Sequence, residues 1–191
     1  MNTFDPRIKI GVMGSSSESP NENQAEHLRT LANRLGQKIA QCGCALITGA
    51  TTGLPYLTSR AARSTGAITI GISPAESREE HLTRYGLPED GADVIIYTGF
   101  GLKGRNVINV RASDIVIIVG GGIGTLNEFT IAFDEGKVIG VLDGSGSVAD
   151  RIKEIASLSD RETHSVLIYN SNPELLIDDC LEAYAQLQMS S

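Results

Sequence analysis

A run of five apolar residues, Ile115-Val116-Ile117-Ile118-Val119, ends in Gly120-Gly121-Gly122-Ile123-Gly124 and passes at once into a stretch of helical character. The run is apolar without alternation, as a strand must be when both faces of its sheet are covered. Four glycines within five residues free the backbone to turn its N–H groups toward a ligand. Thr125 to Glu135 then reads as a helix, so unpaired amides and the positive end of a helix dipole converge on one point. That point suits a phosphate. Glu128 lies about one turn into the helix, where its carboxylate can face the same cleft or simply favour the helix N-terminus.

The surrounding pattern repeats this arrangement. Strand-like runs at Ile8–Met13, Ala45–Thr48, Ala67–Ile72, Val94–Tyr97, Ile115–Val119, Val138–Leu142 and Val166–Tyr169 alternate with helical segments. The expected fold is α/β: one Rossmann-like, doubly wound domain over residues 1–191, its mainly parallel sheet of about seven strands covered by helices on both faces. In the first helix Leu28, Leu31, Ala32, Leu35 and Ile39 share one face while Arg29, Arg34 and Lys38 fall elsewhere. Its start is expected near Asn21 to Asn23, after Pro20. A terminal helix over Pro173 to Gln188 is expected to be capped by Asn172, with Pro173 at its first position. The stretch Ser73 to Ala92 reads as one long irregular connection, with two readings open: a flap over the site or a surface excursion.

Composition removes whole classes of function. A formal charge of −7 gives no broad basic face for a nucleic-acid backbone, so no nucleic-acid partner is expected. No apolar run approaches a membrane span, and Met1 to Pro6 lack a basic region followed by an apolar one. A cytoplasmic protein without a membrane partner is the expectation. Cys42, Cys44 and Cys180 lack the paired spacing of a zinc site and read as reduced, structural thiols. His27, His81 and His164 are scattered, so no metal and no cofactor are expected.

In an open α/β sheet, ligands sit beyond the carboxyl ends of the strands. Three loops there are small, hydroxyl-bearing and glycine-rich: Gly14-Ser15-Ser16-Ser17, Thr48-Gly49-Ala50-Thr51-Thr52-Gly53 and Gly120 to Thr125. From them come the candidate phosphate- and nucleotide-binding residues Gly14, Ser15, Ser16, Gly49, Thr52, Gly53, Gly121, Gly122, Ile123, Gly124 and Thr125. Neither GxGxxG in the first loop nor GxxxxGK followed by Ser or Thr occurs, which disfavours a common dinucleotide dehydrogenase and a triphosphatase. Gly104 to Arg111 reads as a short helix carrying Arg105 and Asn109 one turn apart on one face. Arg105 offers planar, paired donors for a phosphate or a leaving base, and Asn109 joins the binding set. On sequence pattern alone, Arg111 and Arg105 alike also read as surface ion-pair residues. Asp143 stands where an acid can reach a ribose, and also where Asp caps a Gly144-Ser145-Gly146 turn.

These residues resemble a known family. Arg105, Asp114, Gly121, Gly122, Gly124, Thr125 and Glu128 stand at the relative spacing of the arginine and the PGGxGTxxE motif of the Lonely Guy (LOG) family, often misannotated as lysine decarboxylases. The resemblance runs from Ile8 to about Leu142 and takes in the GSSS segment at Gly14 and the Thr48 to Gly53 turn. It implies a cytokinin riboside 5′-monophosphate phosphoribohydrolase, a homodimer that releases free base and ribose 5-phosphate from AMP or N6-prenylated AMP, with Arg105 and Glu128 as catalytic residues. Two departures stand out. The lysine that follows the family's arginine is Asn106 here, and the proline before its glycine pair is Gly120. Both look more like a bacterial LOG-like subgroup similar to the molybdenum cofactor carrier proteins, which bind a phosphorylated pterin and catalyse nothing.

Overall fold

The computed structural model describes residues 7–17, 19, 21–159 and 163–190. Met1 to Pro6 and Pro20, read above from sequence, lie outside them. Seven strands form one parallel sheet in the order β4-β3-β2-β1-β5-β6-β7. They are β1 (Lys9–Gly14), β2 (Ala45–Thr48), β3 (Thr69–Ser73), β4 (Val94–Tyr97), β5 (Ile115–Val119), β6 (Val138–Leu142) and β7 (Val166–Asn170). The order reverses between β1 and β5, which pair in register from Ile10 with Ile115 to Gly14 with Val119. The doubly wound α/β expectation therefore holds, and the carboxyl ends of these two central strands define the place where a ligand cleft opens.

Alternate residues of the central strands β1 and β5 feed two cores. Ile10, Val12, Ile115, Ile117 and Val119 pack against α1 (Glu22–Gln41), α2 (Gly53–Ser64) and α7 (Pro173–Ser190). Met13, Val116 and Ile118 face α4 (Gly101–Arg111), α5 (Ile123–Asp134) and α6 (Ile152–Ser157). All five residues of β5 are buried, which explains their lack of alternation. Asn21 caps α1, accepting a hydrogen bond from the Gln24 amide at 3.2 Å. Asn172 caps α7 as its sequence position predicts, accepting from the Glu174 and Leu175 amides at 2.9 and 3.0 Å. Arg34 then clamps the first turn of α7 onto α1 through paired bonds to Glu174 of 2.9 and 2.5 Å.

The connection from Ser73 to Ala92 is more ordered than its sequence suggests. Ser73 ends β3, and α3 (Arg78–Thr83) is capped by Ser77, whose hydroxyl accepts from the Glu80 amide at 3.2 Å. His81 on α3 is fully buried. Its Nδ1 lies 2.9 Å from Ser73 Oγ and its Nε2 3.1 Å from the Pro88 carbonyl, so one imidazole ties both ends of the excursion together. Charged residues obscure this helix, because a six-residue element with one buried side chain carries no periodicity to read. None of residues 73–92 lines the cleft described below.

Helix boundaries move by a few residues from those expected: α4 starts at Gly101 rather than Gly104, and α5 at Ile123 rather than Thr125. The second shift matters, because it carries the helix start into the glycine loop.

Since Ile117 is fully buried at the centre of β5, Ile117→Ala is expected to cost roughly 2–5 kcal/mol of unfolding free energy. Chemical denaturation measures this, and a loss below about 1 kcal/mol would mean that the core collapses around the gap.

Candidate functional site

The cleft opens where the sheet predicts. It has a volume of about 310 Å3 and lies between the β1 loop, the β5 loop and the starts of α4 and α5. Gly14, Ser15 and Ser16 form one wall, Gly122, Ile123, Gly124 and Thr125 the other, and Arg105 and Glu128 the inner end. The candidate residues from two of the three predicted loops thus meet in one place. Thr51 is the residue of the third loop that reaches the cleft.

The remaining candidates act behind the wall. Thr52 donates its hydroxyl to the Ser16 carbonyl at 2.7 Å, and the Leu54 amide, next to Gly53, donates to the Ser15 carbonyl at 2.9 Å. Both contacts hold the β1 loop in place. Gly49 is covered by Arg105: a Cβ there would fall inside the guanidinium. Gly121, at φ 99°, likewise leaves room for the Thr125 side chain, whose hydroxyl donates to the Gly14 carbonyl at 3.2 Å. No side chain caps the start of α5. Its first amides are therefore left for a ligand, and the dipole favours an anion there.

At the inner end, Arg105 and Glu128 form a buried ion pair, Nη1 to Oε1 3.0 Å, with side chains 8% and 7% exposed. Asn109 adds a second donor to the same Oε1 at 3.1 Å, as its placement one turn from Arg105 allows. Asn106, the residue that departs from the LOG pattern, accepts from Arg105 Nη1 at 2.8 Å and donates to Asn127 Oδ1 at 2.8 Å. Its role is to orient the arginine. Arg105 Nε and Asn109 Oδ1 are buried without a hydrogen-bond partner. Burial raises Glu128 above the ordinary carboxylate range, while Arg105, Asn109 and Lys103 pull the other way. Burial likewise lowers Arg105 from its ordinary value, against the pull of Glu128.

Lys103 was missed by sequence reasoning. It lines the cleft beside Gly124 and makes none of the described ion pairs, which leaves it as a cation for an incoming anion. Two residues before Arg105, it falls on a different helical face by periodicity. It reaches the site because α4 begins a turn earlier than expected. Arg111 pairs with Glu135 at the surface, Nε to Oε1 2.6 Å. Asp114 ties the opposite end of β5 to Lys9, 2.7 Å from its Nζ. Asp143 is exposed, and the Gly144 amide bonds Asp150 at 2.9 Å instead.

Among the described residues no group of three or more His, Cys, Asp or Glu is placed to hold a metal, and no helix is long and apolar enough to cross a membrane. Cys42, Cys44 and Cys180 are free, and burial pushes Cys44 up to about 11 and Cys180 up to about 12.

An open parallel sheet with a charged cleft beyond the carboxyl ends of β1 and β5 defines a Rossmann-like α/β protein. The chain belongs to the SLOG cluster4 family, whose model matches residues 7–177. An uncharacterized protein of Archaeoglobus fulgidus is 37% identical over 135 residues, 71% of this chain and 80% of that protein. Among solved structures, TM1055 is 26% identical with a TM-score of 0.79, covering 92% of this chain and 99% of its own. The molybdenum cofactor binding protein of Rippkaea orientalis is 30% identical with a TM-score of 0.72, covering 93% and 97%. The molybdenum cofactor carrier protein of Chlamydomonas reinhardtii is 26% identical with a TM-score of 0.72, covering 94% and 99%. The resemblance read from Arg105 to Glu128 is therefore one of family, and it extends to the carrier proteins.

Gly49 and Arg105 compete for one volume, so Gly49→Ala is expected to cost about 1–3 kcal/mol. Most of that cost should vanish in an Arg105→Ala background, because contacting residues are non-additive. Denaturant titrations of the four species in the cycle test this, and additive losses would show that the guanidinium does not lie on Gly49.

Proposed function

We propose that the protein is a phosphoribohydrolase, hydrolysing the N-glycosidic bond of a nucleoside 5′-monophosphate, AMP or N6-prenylated AMP, to free base and ribose 5-phosphate. One observation carries this reading: an uncapped helix start and the carboxylate of Glu128 share a single cleft. The phosphate takes the amides at Gly122 to Gly124, with Lys103 beside it. As the glycosidic bond breaks, positive charge develops on the sugar in an oxocarbenium-like transition state. Glu128 stabilises that charge and orients the attacking water. Its Oε1 is held by Arg105 and Asn109, and its Oε2 accepts none of the described hydrogen bonds. Arg105 fixes the carboxylate and steadies the leaving base.

A second reading has a specific observation behind it. The similarity to molybdenum cofactor binding and carrier proteins spans nearly the full length of each chain. On that reading the same cleft carries or senses a phosphorylated ligand without turnover.

Chromatography of incubations with AMP, isopentenyladenosine monophosphate and the common nucleotides separates the two. Free base together with ribose 5-phosphate is expected, and both should disappear in Glu128→Gln, which keeps an acceptor for Arg105 and Asn109 but removes the charge. Bound ligand with no release would favour the carrier. The pH profile adds a further check. Glu128 must be ionised to act, and its raised pKa brings protonation in at higher pH than for a free glutamate. The acidic limb of kcat/KM is therefore expected above about 4.3.

The same reading includes a cytoplasmic homodimer. Leu102 and Ile123 at the cleft, with Phe100 just before α4, are 51%, 71% and 68% exposed, and a second copy packed there would cover them. Light scattering is expected to give twice the chain mass, and a monomer alone would remove the dimer from the proposal.

A further inference from the structure

The first loop separates two cavities. Besides the charged cleft, a second cavity of about 300 Å3 is walled by Gln24 and Leu28 of α1, Leu54 of α2, and Ser145 and Ser147 in the turn after β6. Ser15 and Ser17 line both spaces, so the β1 loop is a partition with room on either side. Each space is near the lower end of small-molecule sites, which run from roughly 300 to 1,000 Å3.

The two differ in chemistry. Lys103, Arg105 and Glu128 charge the first, whereas the described residues of the second include no ionisable side chain. The second offers hydroxyls and an amide over a floor of Leu28 and Leu54, a surface for an uncharged sugar or ring. Ser17 and Ser147 have hydroxyls that make none of the described hydrogen bonds. Ser147 also holds a left-handed backbone, φ 54°, which a non-glycine residue adopts at a cost.

The partition sits at the reversal of strand order, the place where open α/β sheets receive two-armed nucleotides. In the usual arrangement the first helix receives the pyrophosphate. Here α1 is closed to it, because Asn21 caps the helix and Glu22 places a carboxylate in its first turn. The start of α5 is open, with Lys103 beside it and the buried, unpartnered Nε of Arg105 behind.

We propose that the ligand has two arms: a nucleotide in the charged cleft, a pyrophosphate crossing the Ser15 to Ser17 partition at the start of α5, and an uncharged, hydroxyl-bearing arm in the second cavity. This rests on the nucleotide reading of the first cleft and extends its substrate class from mononucleotides to pyrophosphate-linked ones.

Calorimetric titration of the full chain with AMP and with ADP-ribose tests it. ADP-ribose is expected to bind on the order of tenfold more tightly, because a second arm adds contacts to a ligand already anchored. Gln24→Trp, made on the surface of α1, fills the second cavity and should abolish this advantage while leaving AMP binding unchanged. Ser147→Leu intrudes from the opposite wall and should do the same if the first variant folds poorly. Equal affinities in the unaltered protein, or an advantage that survives both variants, would overturn the two-armed ligand while leaving the nucleotide cleft standing. Failure of both ligands to bind would remove the nucleotide reading as well.

Discussion

A guanidinium and a carboxylate held together out of water are the interaction on which the cleft depends. Withdrawing both charges from solvent is costly, and a pair of apolar residues would fill the same space more cheaply. The surroundings are built to keep the pair in register. Gly49 has no side chain where the guanidinium lies, Asn106 and Asn127 relay a hydrogen bond to Arg105, and Asn109 holds the carboxylate oxygen that Arg105 also holds. Helices α4 and α5 are thereby locked at one spacing. That spacing is the width of the cleft, so packing, charge and binding geometry are set by the same few atoms.

The position of the helix start follows from the β5 loop. Gly121 must turn through a left-handed conformation to admit Thr125, whose hydroxyl then fastens the α5 start to the carbonyl of Gly14. The loop is drawn in from behind as well, where the Ser145 hydroxyl accepts from the Gly120 amide at 2.9 Å. What remains unfastened is the row of amides at the front. A fold that often places phosphate on its first helix leaves its fifth helix uncapped here, and on the proposed reading the phosphate sits there, which accounts for the missing first-loop glycine fingerprint.

Much of this was legible in the residues. The buried run Ile115 to Val119, the glycine loop and Glu128 are contiguous, so strand, turn and helix phase together place the carboxylate. Arg105 and Asn109 lie one turn apart, and they do converge on Glu128. What escaped were contacts between segments distant in the chain. Gly49 reads as a ligand residue because its loop is glycine-rich, yet its partner is Arg105, 56 positions later. Thr52 and Gly53 share that fate, supporting the β1 loop from a neighbouring strand end. Lys103 was hidden by a helix boundary three residues off, since no cap side chain marks where α4 begins. The α3 helix was hidden by its shortness, and only the buried His81 gives it a place.

The presence of Glu128 in the cleft proposed to take a phosphate bears on the choice between turnover and carriage. A carboxylate close to bound phosphate weakens ground-state binding, so a protein selected only to hold an anion gains nothing from it. A hydrolase gains where a carrier loses, because only an interaction stronger in the transition state than in the ground state accelerates chemistry. On the proposed hydrolase reading the sugar is neutral when it binds and cationic as the base departs, and a carboxylate at Glu128 would distinguish the two. Arg105 shapes the same difference. Paired with Glu128 it cancels much of the repulsion felt by the incoming phosphate, while the second carboxylate oxygen stays available to the charge that develops later. For the molybdenum cofactor reading to prevail, the pair would have to serve only as the clamp between α4 and α5, a task that Asn106 and Asn127 already share at no cost in buried charge.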